Sequence, residues 1–294
     1  YPHLKKIILE ITDHWLNNKF FLKYHLFPFR YSDDYLINFL NLLCSRLNRY
    51  SSRQPYDRSN KNIGLLINKL NYIYFTYFTS GMYVQLMKSN TTFIFTLIDL
   101  YRRIKKEKYK DTVIIWINSV IEKMVEDGIV YGFYYPSVGK KYDNRLLNSF
   151  IFIDVLMDSF YFIRRDNKYL ELTKEIIDKR LADRWKNGLI PWYFNGKYTH
   201  IDSLVDFSIS IRRYAELSGD ASYLDYSYEL LKNTLKFHYS KKGYYLNIKR
   251  NDKPLSIKIS PKYNGLLLKG IINLLTINEN MYENLKLHDI LKDR

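Results

Sequence analysis

The chain has 294 residues, of which 47 % are hydrophobic and 17 % aromatic, and its formal net charge is +16. This composition excludes a disordered protein and predicts a large buried core. The positive charge favours an anionic ligand, such as nucleic acid, acidic lipid or acidic sugar, without choosing among them.

Apolar residues recur at helical spacing along the whole chain. We place the predicted helices, in chain order, at 4–19, 34–48, 62–77, 92–105, 111–126, 144–163, 169–185, 203–217, 222–238, 264–275 and 282–291. The first helix of each clear hairpin, such as 144–163, is apolar nearly all round, whereas the second, such as 169–185, is amphipathic. This asymmetry predicts an inner ring and an outer ring of helices.

The helical hairpins form a sequence repeat. A tyrosine opens the second helix of each repeat, at Tyr109, Tyr169, Tyr223 and Tyr282. A glycine follows that helix and closes the repeat, at Gly128, Gly188 and Gly243. Repeats of this length bury their apolar faces on neighbouring repeats. We therefore predict an all-α (α/α)6 toroid of helical hairpins with short strand-like turns, formed as one domain over residues 1–294.

Polar and aromatic residues stand directly before the predicted inner helices. Inner helices of a ring converge on a central cavity, so these residues are expected to share one rim. Sugars stack on aromatic rings while carboxylates and amides bind their hydroxyls. We predict that the substrate-binding residues are Tyr134, Tyr135, Tyr142, Arg145, Trp192, Tyr193, Tyr263 and Asn264. The alternative is that the Asp and Asn residues of this rim only cap the helices that they precede.

Two carboxylates are the first candidates for catalysis. Glycoside hydrolysis uses one protonated and one ionised carboxylate, roughly 5 to 9.5 Å apart, and Asp143 and Asp202 are the predicted pair. Asp206, one helical turn after Asp202, is the reserve candidate because like charges raise a carboxyl pKa. Asp154 and Asp158 show the same spacing deeper in a helix, where we expect them to pair with an Arg or Lys of a neighbouring hairpin.

A uronate substrate would shift the chemistry towards His200. Elimination or epimerisation removes the proton beside a carboxylate, and a Tyr or His serves as base or acid. His200, Tyr142 and Tyr263 would then matter more than the aspartates, with Arg145 or Lys262 holding the sugar carboxylate. Taken alone, His200 is more typical of a solvent-facing loop residue than of a catalytic one.

Three features together resemble the six-hairpin glycosidase superfamily. They are the hairpin rhythm over 90–294, the segment HIDSLVDFSISIRRYAELSGDASYLDYSYELLKNTLKFH at 200–238, and SPKYNGLLLKGIINLL at 260–275. Members include glycoside hydrolases, unsaturated glucuronyl hydrolases, sugar 2-epimerases, polysaccharide lyases and glucuronyl C5-epimerase domains. The resemblance implies carbohydrate chemistry on an oligosaccharide, with or without uronates, and leaves the reaction open.

A helical repeat protein without catalytic activity is the competing interpretation. An α-solenoid would bind a protein or nucleic-acid partner on its concave face. Nucleic acid is the less favoured partner, because the aromatic residues sit mostly at core spacing within helices and not among the basic residues. An oligosaccharide or uronate substrate is the favoured one, and the oligomeric state stays open.

Several common signatures are missing from the sequence. The six histidines show no paired spacing for a metal, and neither a phosphate-binding loop nor a dinucleotide fingerprint occurs, so we expect no metal and no cofactor. Polar residues interrupt the longest apolar stretches, which argues against a membrane span. Cys44 is the only cysteine, so no intrachain disulfide can form, and we expect a cytoplasmic protein.

Overall fold

The computed structural model of the chain describes residues 2–17, 19–26, 84–86, 90–136, 139–240, 243–258, 265 and 268–272. The predicted helices at 34–48, 62–77 and 282–291 lie outside the described residues, as does most of the one at 264–275. Tyr263, Asn264 and Lys262 of the predicted site lie outside them too.

The described helices follow the predicted order. They are α1 (Pro2–Leu16), α2 (Lys19–Tyr24), α3 (Thr91–Ile104), α4 (Glu107–Met124), α5 (Leu146–Phe162), α6 (Asn167–Ala182), α7 (Ile201–Ser218) and α8 (Ser222–His238). The described strands are β1 (Val84–Gln85), β2 (Val125–Glu126), β3 (Ile129–Val130), β4 (Phe133–Tyr135), β5 (Lys140–Tyr142), β6 (Tyr239–Ser240), β7 (Gly243–Ile248) and β8 (Pro254–Lys258). The strands are short and lie between helices, as the strand-like turns of the sequence predict.

Residue contacts divide the chain into two compact units. The first comprises residues 1–97, 106–124 and 132–142, and the second comprises 98–105, 125–131 and 143–294. A single domain over residues 1–294 stays a prediction.

In the first unit, one buried tryptophan ties a helix to a strand. Trp116 of α4 is fully buried and donates from Nε1 to Oδ1 of Asn90 at 2.9 Å. Asn90 in turn donates to the main-chain oxygen of Gln85 in β1 at 3.1 Å. Strand β1 is an edge strand of an antiparallel sheet of order β1-β4-β5.

In the second unit, α5 and α7 pack against each other, and each has an amphipathic helix beside it. Helix α5 contacts α6 and α7, and α7 contacts α8 most extensively. Buried side chains occupy all sides of α5, among them Phe152, Ile153 and Val155, whereas α6 buries one face. The predicted difference between the first and second helices of a hairpin is therefore present.

The glycines of the repeat let each hairpin lie close to the next outer helix. Gly128 has φ +71°, and an added Cβ there would lie 3.1 Å from the main-chain oxygen of Glu175 in α6. Gly188 has φ +82°, and an added Cβ would lie 2.4 Å from Nδ2 of Asn233 in α8. Both positions combine a left-handed backbone with a close approach, which only glycine allows.

Main-chain pairing joins the segments that precede α5 and α7. Arg145 and Tyr193 form an isolated antiparallel bridge. The amide of Leu146 donates to the oxygen of Trp192 at 2.6 Å, and the amide of Trp192 donates to the oxygen of Tyr198 at 2.9 Å. The start of α5 is thus bound to the loop that leads into α7.

The same loop is also bound to the β6-β7-β8 sheet. Tyr198 forms a bridge with Lys249, and the amide of Thr199 donates to the oxygen of Ile248 at 2.8 Å. The loop that leads into α7 is therefore held from two sides, by the segment before α5 and by β7.

Candidate functional site

His200 and Asp202 form a contact at the start of α7. His200 has an extended backbone just before the helix, and Asp202 lies in its first turn. Nδ1 of His200 contacts Oδ1 of Asp202, and the same oxygen accepts from the amide of Ser203 at 2.7 Å. The carboxylate therefore helps to fix the orientation of the imidazole ring.

Trp192 supplies an aromatic surface beside this histidine. Its ring centroid lies 4.8 Å from that of His200, with 35° between the planes. Tyr193 and Tyr198 pack on the same indole at 5.4 and 5.5 Å. The indole Nε1 is buried and has no hydrogen-bond acceptor in the described part of the chain. Aromatic rings and an imidazole are thus held together here, a combination that is common in sugar-binding sites.

Asp143 and Arg145 form a bidentate ion pair before α5. Nε and Nη2 of Arg145 donate to Oδ1 and Oδ2 of Asp143 at 2.6 and 2.5 Å. The Asp143 side chain is only 10 % exposed, and its backbone is left-handed, with φ +73°. The Arg145 guanidinium carbon also lies 5.7 Å from the Trp192 ring. Both partners are therefore engaged with each other at the edge of the aromatic surface.

The predicted Asp residues do not hold the N-cap positions of α5 and α7, although Asp202 accepts from the amide of Ser203 in the first turn of α7. Arg145 and His200 hold the N-cap positions of α5 and α7, and neither makes a side-chain cap hydrogen bond. Asp143 lies outside α5 and binds Arg145, while Asp202 lies inside α7. Helix α5 begins at Leu146, after its predicted start, and α7 begins at Ile201, before its predicted start.

Sequence reasoning missed Arg180, which lies behind Asp143. Arg180 of α6 is fully buried, and it donates from Nη2 to the oxygen of Asn144 at 2.7 Å and from Nε to Oγ of Ser149 at 2.9 Å. Burial lowers the pKa of Arg180 to about 10. An arginine is rarely buried without a carboxylate in contact. Nothing in the sequence around Arg180 therefore indicated that it would be buried.

Sequence reasoning also missed the role of His238, which anchors the residue before His200. His238 is fully buried at the end of α8. Its Nδ1 lies 2.6 Å from the main-chain oxygen of Tyr245, which can only accept, so Nδ1 carries the proton. Nε2 then accepts from Oγ1 of Thr199 at 3.0 Å. Burial lowers the pKa of His238 to about 4, so this ring stays neutral and holds the loop.

A second polar group lies further along α5 and α7. Asp154 accepts from Oγ of Ser210 at 3.0 Å. Arg213 of α7 pairs with Asp158 and lies 3.9 Å from Asp154, which confirms the predicted pairing with a cation of a neighbouring hairpin. Burial raises the pKa of Asp154 to about 7, and the charges of Asp158 and Asp206 add to the rise.

The predicted site residues fall into three sets. The residues that the structure brings together around Trp192 are Asp143, Arg145, Trp192, Tyr193, His200 and Asp202. Asp206 does not join them through any described contact, and it lies 3.9 Å from Nζ of Lys269. Tyr134, Tyr135 and Tyr142 belong to the sheet of the first unit, where the rings of Tyr135 and Tyr142 lie 5.8 Å apart.

Within the described ranges, no group of three or more His, Cys, Asp or Glu side chains is placed to hold a metal ion. No helix of the described part is both long and apolar enough to cross a membrane.

No protein-family model matches the sequence, and comparison with curated proteins also gives no match. Solved structures do match. A D-mannose isomerase superposes with a TM-score of 0.57 at 15 % identity, covering 69 % of this chain and 56 % of that one. A sugar epimerase from a ruminal bacterium superposes with a TM-score of 0.57 at 10 % identity, covering 69 % and 58 %. A family 76 α-mannanase from Bacteroides thetaiotaomicron gives 0.52 at 12 % identity, covering 69 % and 55 %.

These likenesses show the fold. The chain has the helical-toroid fold of these solved structures, as predicted. Its structural neighbours are carbohydrate-active enzymes, and it spans a little over half the length of the solved structures named above.

Proposed function

We propose that the chain is a carbohydrate-active enzyme that moves a proton on its sugar, with His200 as the acid–base group. The observation that carries this proposal is the contact of His200 with Asp202 beside the face of Trp192. An imidazole oriented by a carboxylate is a common acid–base group in enzymes.

The proposed step is proton transfer at a carbon next to a carbonyl or carboxyl group. The C–H bond breaks, its proton goes to Nε2 of His200, and its electron pair moves towards the carbonyl oxygen. Return of the proton to a carbon then gives an isomer of the sugar. Asp202 stabilises the imidazolium formed in between, because an ionised neighbour in contact favours the charged ring.

The ion pair of Asp143 argues against the predicted two-carboxylate hydrolysis by Asp143 and Asp202. A glycoside hydrolase needs one carboxyl group that keeps a proton. Arg145 donates to both oxygens of Asp143, so this carboxyl group is occupied by an ion pair and poorly placed to protonate a leaving group. Asp202 is engaged with His200 instead.

Hydrolysis by a different pair is the second candidate function. The pKa of Asp154 is raised to about 7 by burial, so this group can carry a proton near neutral pH. Asp206 is close enough for its charge to contribute to that rise, and it would serve as the ionised partner. The α-mannanase among the structural neighbours is compatible with this alternative.

Product analysis separates the two candidates. The parent chain, H200Q and D206N are incubated with reducing and uronate oligosaccharides, and products are followed by proton NMR. The proposal expects isomerised sugar without new reducing ends, lost in H200Q and kept in D206N. New reducing ends that disappear in D206N and persist in H200Q would replace proton transfer by hydrolysis.

A further inference from the structure

A cationic pocket lies on the connection between α6 and α7, outside the group around Trp192. It has a volume of about 360 Å³ and lies between the end of α6 and the turn that joins β7 to β8. The lining residues are Arg184, Trp185, Lys186, Asn187, Arg250 and Asp252. A pocket of this size is within the range of small-molecule sites.

Hydrogen bonds hold the two walls of this pocket together. Nδ2 of Asn187 donates to Oδ1 of Asp252 at 2.6 Å, which joins the α6–α7 loop to the β7–β8 turn. Oδ1 of Asn187 accepts from the amide of Leu189 at 3.0 Å, and the amide of Trp185 donates to the oxygen of Leu189 at 2.9 Å. The walls are therefore formed before any ligand binds, which reduces the entropy cost of binding.

The cations of the pocket are mostly unneutralised. Nε of Arg184 donates to the oxygen of Leu181 at 3.0 Å, and its guanidinium lies 5.1 Å from the Tyr226 ring. Within the part of the chain that the structure describes, the side chains of Lys186 and Arg250 make no ion pair or hydrogen bond.

Two carboxylates near the pocket partly offset its positive charge. Asp252 is hydrogen-bonded to Asn187. Asp183 lies near enough to Arg250 to feel its charge, and burial still raises the pKa of Asp183. Three cations against these two carboxylates leave a positive pocket, which favours an anionic group.

The pocket and His200 lie at the same end of the α6–α7 hairpin. The amide of Arg250 donates to the oxygen of Lys197 at 3.1 Å. His200 follows Lys197 by three positions, so their Cα atoms are at most about 10 Å apart. A saccharide of a few units that reaches Trp192 can therefore extend to the pocket.

We propose that this pocket binds an oxyanion, carboxylate or sulfate, on a saccharide whose neighbouring units lie against Trp192 and His200. A guanidinium binds such groups through a planar pair of N–H donors, and an ammonium adds a point charge. The proposal rests on the proposed function, because it assumes a saccharide at His200. It deepens that function by assigning an anionic substrate class.

Binding to matched saccharides tests this site. The probes are fluorescently labelled tetragalacturonate, its methyl ester, a sulfated neutral tetrasaccharide, and a single-stranded DNA of equal charge, all measured by anisotropy at about 0.15 M salt. The test variant is K186Q/R250Q. The control is R164Q/R165Q, which removes the same charge at the other end of α6, about 24 Å away along a helix of 16 residues.

The proposal expects the carboxylated or the sulfated tetrasaccharide to bind about tenfold more tightly than the methyl ester. K186Q/R250Q should lose that preference and R164Q/R165Q should keep it. Which of the two anionic probes binds more tightly identifies the oxyanion.

Three outcomes would overturn the proposal. Equal binding of charged and neutral saccharides, with isomerisation of a neutral sugar, removes the anion site and leaves the proposed function intact. Failure of every saccharide to bind removes both. DNA binding that matches the anionic saccharides and weakens equally in both double variants assigns the positive charge to general polyanion attraction.

Discussion

The ring of Trp192 lies 4.8 Å from the ring of His200, although eight positions of loop separate them in the sequence. The loop turns back on itself, since the amide of Trp192 donates to the oxygen of Tyr198 at 2.9 Å. This return brings an aromatic surface to the histidine that begins α7. The proposed chemistry depends on that juxtaposition.

Replacing Asp202 with Asn should reduce turnover by roughly a hundredfold or more, because a correctly oriented acid–base group contributes about that much. The amide removes the charge that stabilises the imidazolium and no longer fixes which nitrogen carries the proton. The measurement is kcat/KM against pH for the parent and D202N, together with denaturant unfolding. Unchanged turnover in a folded D202N variant would remove Asp202 from the site.

Replacing Arg145 with Ala should destabilise the chain by about 3 kcal/mol, because it leaves the largely buried Asp143 without its partner. The double variant D143N/R145A should recover part of that loss, since no unpaired charge is left. Urea unfolding of the two single variants and the double variant gives the coupling energy. A coupling energy near zero would mean that the pair adds nothing to stability.

His238 should make stability fall as the pH drops below about 6.5. Its pKa in the folded chain is lowered to about 4, so the unfolded chain binds a proton that the folded chain excludes between these values. The expected loss reaches about 3 kcal/mol near pH 4, and H238N should flatten this part of the curve. Urea unfolding at several pH values measures it, and equal slopes for both proteins would contradict the assignment.

Asp154 should have the opposite effect to His238 on how the stability of the fold changes with pH. Its pKa in the folded chain is raised to about 7, so the folded chain holds a proton that the unfolded chain releases above its ordinary value. The stabilisation from this group is complete below about pH 4 and is lost as the pH rises through 7. D154N should make stability independent of this group over that range, as unfolding from pH 4 to 8 would reveal.

Gly188→Ala should destabilise the chain more than Gly219→Ala. Both residues have a left-handed backbone, with φ +82° and +76°, so each alanine costs about 1 kcal/mol in strain. At Gly188 the new Cβ also meets Nδ2 of Asn233 at 2.4 Å, whereas nothing lies within 4 Å at Gly219.

The excess cost at Gly188 is expected to be about 1–3 kcal/mol, and N233A should relieve it in the double variant. Thermal unfolding of the four variants measures this. Equal losses for the two glycine variants would show that Asn233 moves aside without cost.

Apart from the short helix α2, the described helices and their order were predictable because each carries its own apolar pattern. Helix α8 begins and ends at the predicted residues, Ser222 and His238. The predicted pairing of Asp158 with a cation was also within reach, since a carboxylate amid an apolar helix needs a partner. The repeat glycines followed from the same hairpin rhythm.

The arrangement of the site was less predictable, because it depends on main-chain pairing between distant segments. The bridge between Arg145 and Tyr193 and the bond from Leu146 to Trp192 have no signature in either segment alone. The ion pair of Asp143 with Arg145 occurs together with a left-handed backbone at Asp143, which the residue pattern does not predict. Arg180 and His238 are buried and bind main-chain groups of the neighbouring loops, and their burial is visible only in the packed structure.

Deuterium incorporation is the most direct test of proton transfer by His200. The parent chain and H200Q are incubated with a sugar in D₂O, and loss of the C–H signal next to the carbonyl or carboxyl group is followed by proton NMR. The account predicts incorporation by the parent that falls by about a hundredfold or more in H200Q, while unfolding stays cooperative. Product formation without deuterium in the sugar, or equal incorporation by H200Q, would contradict it.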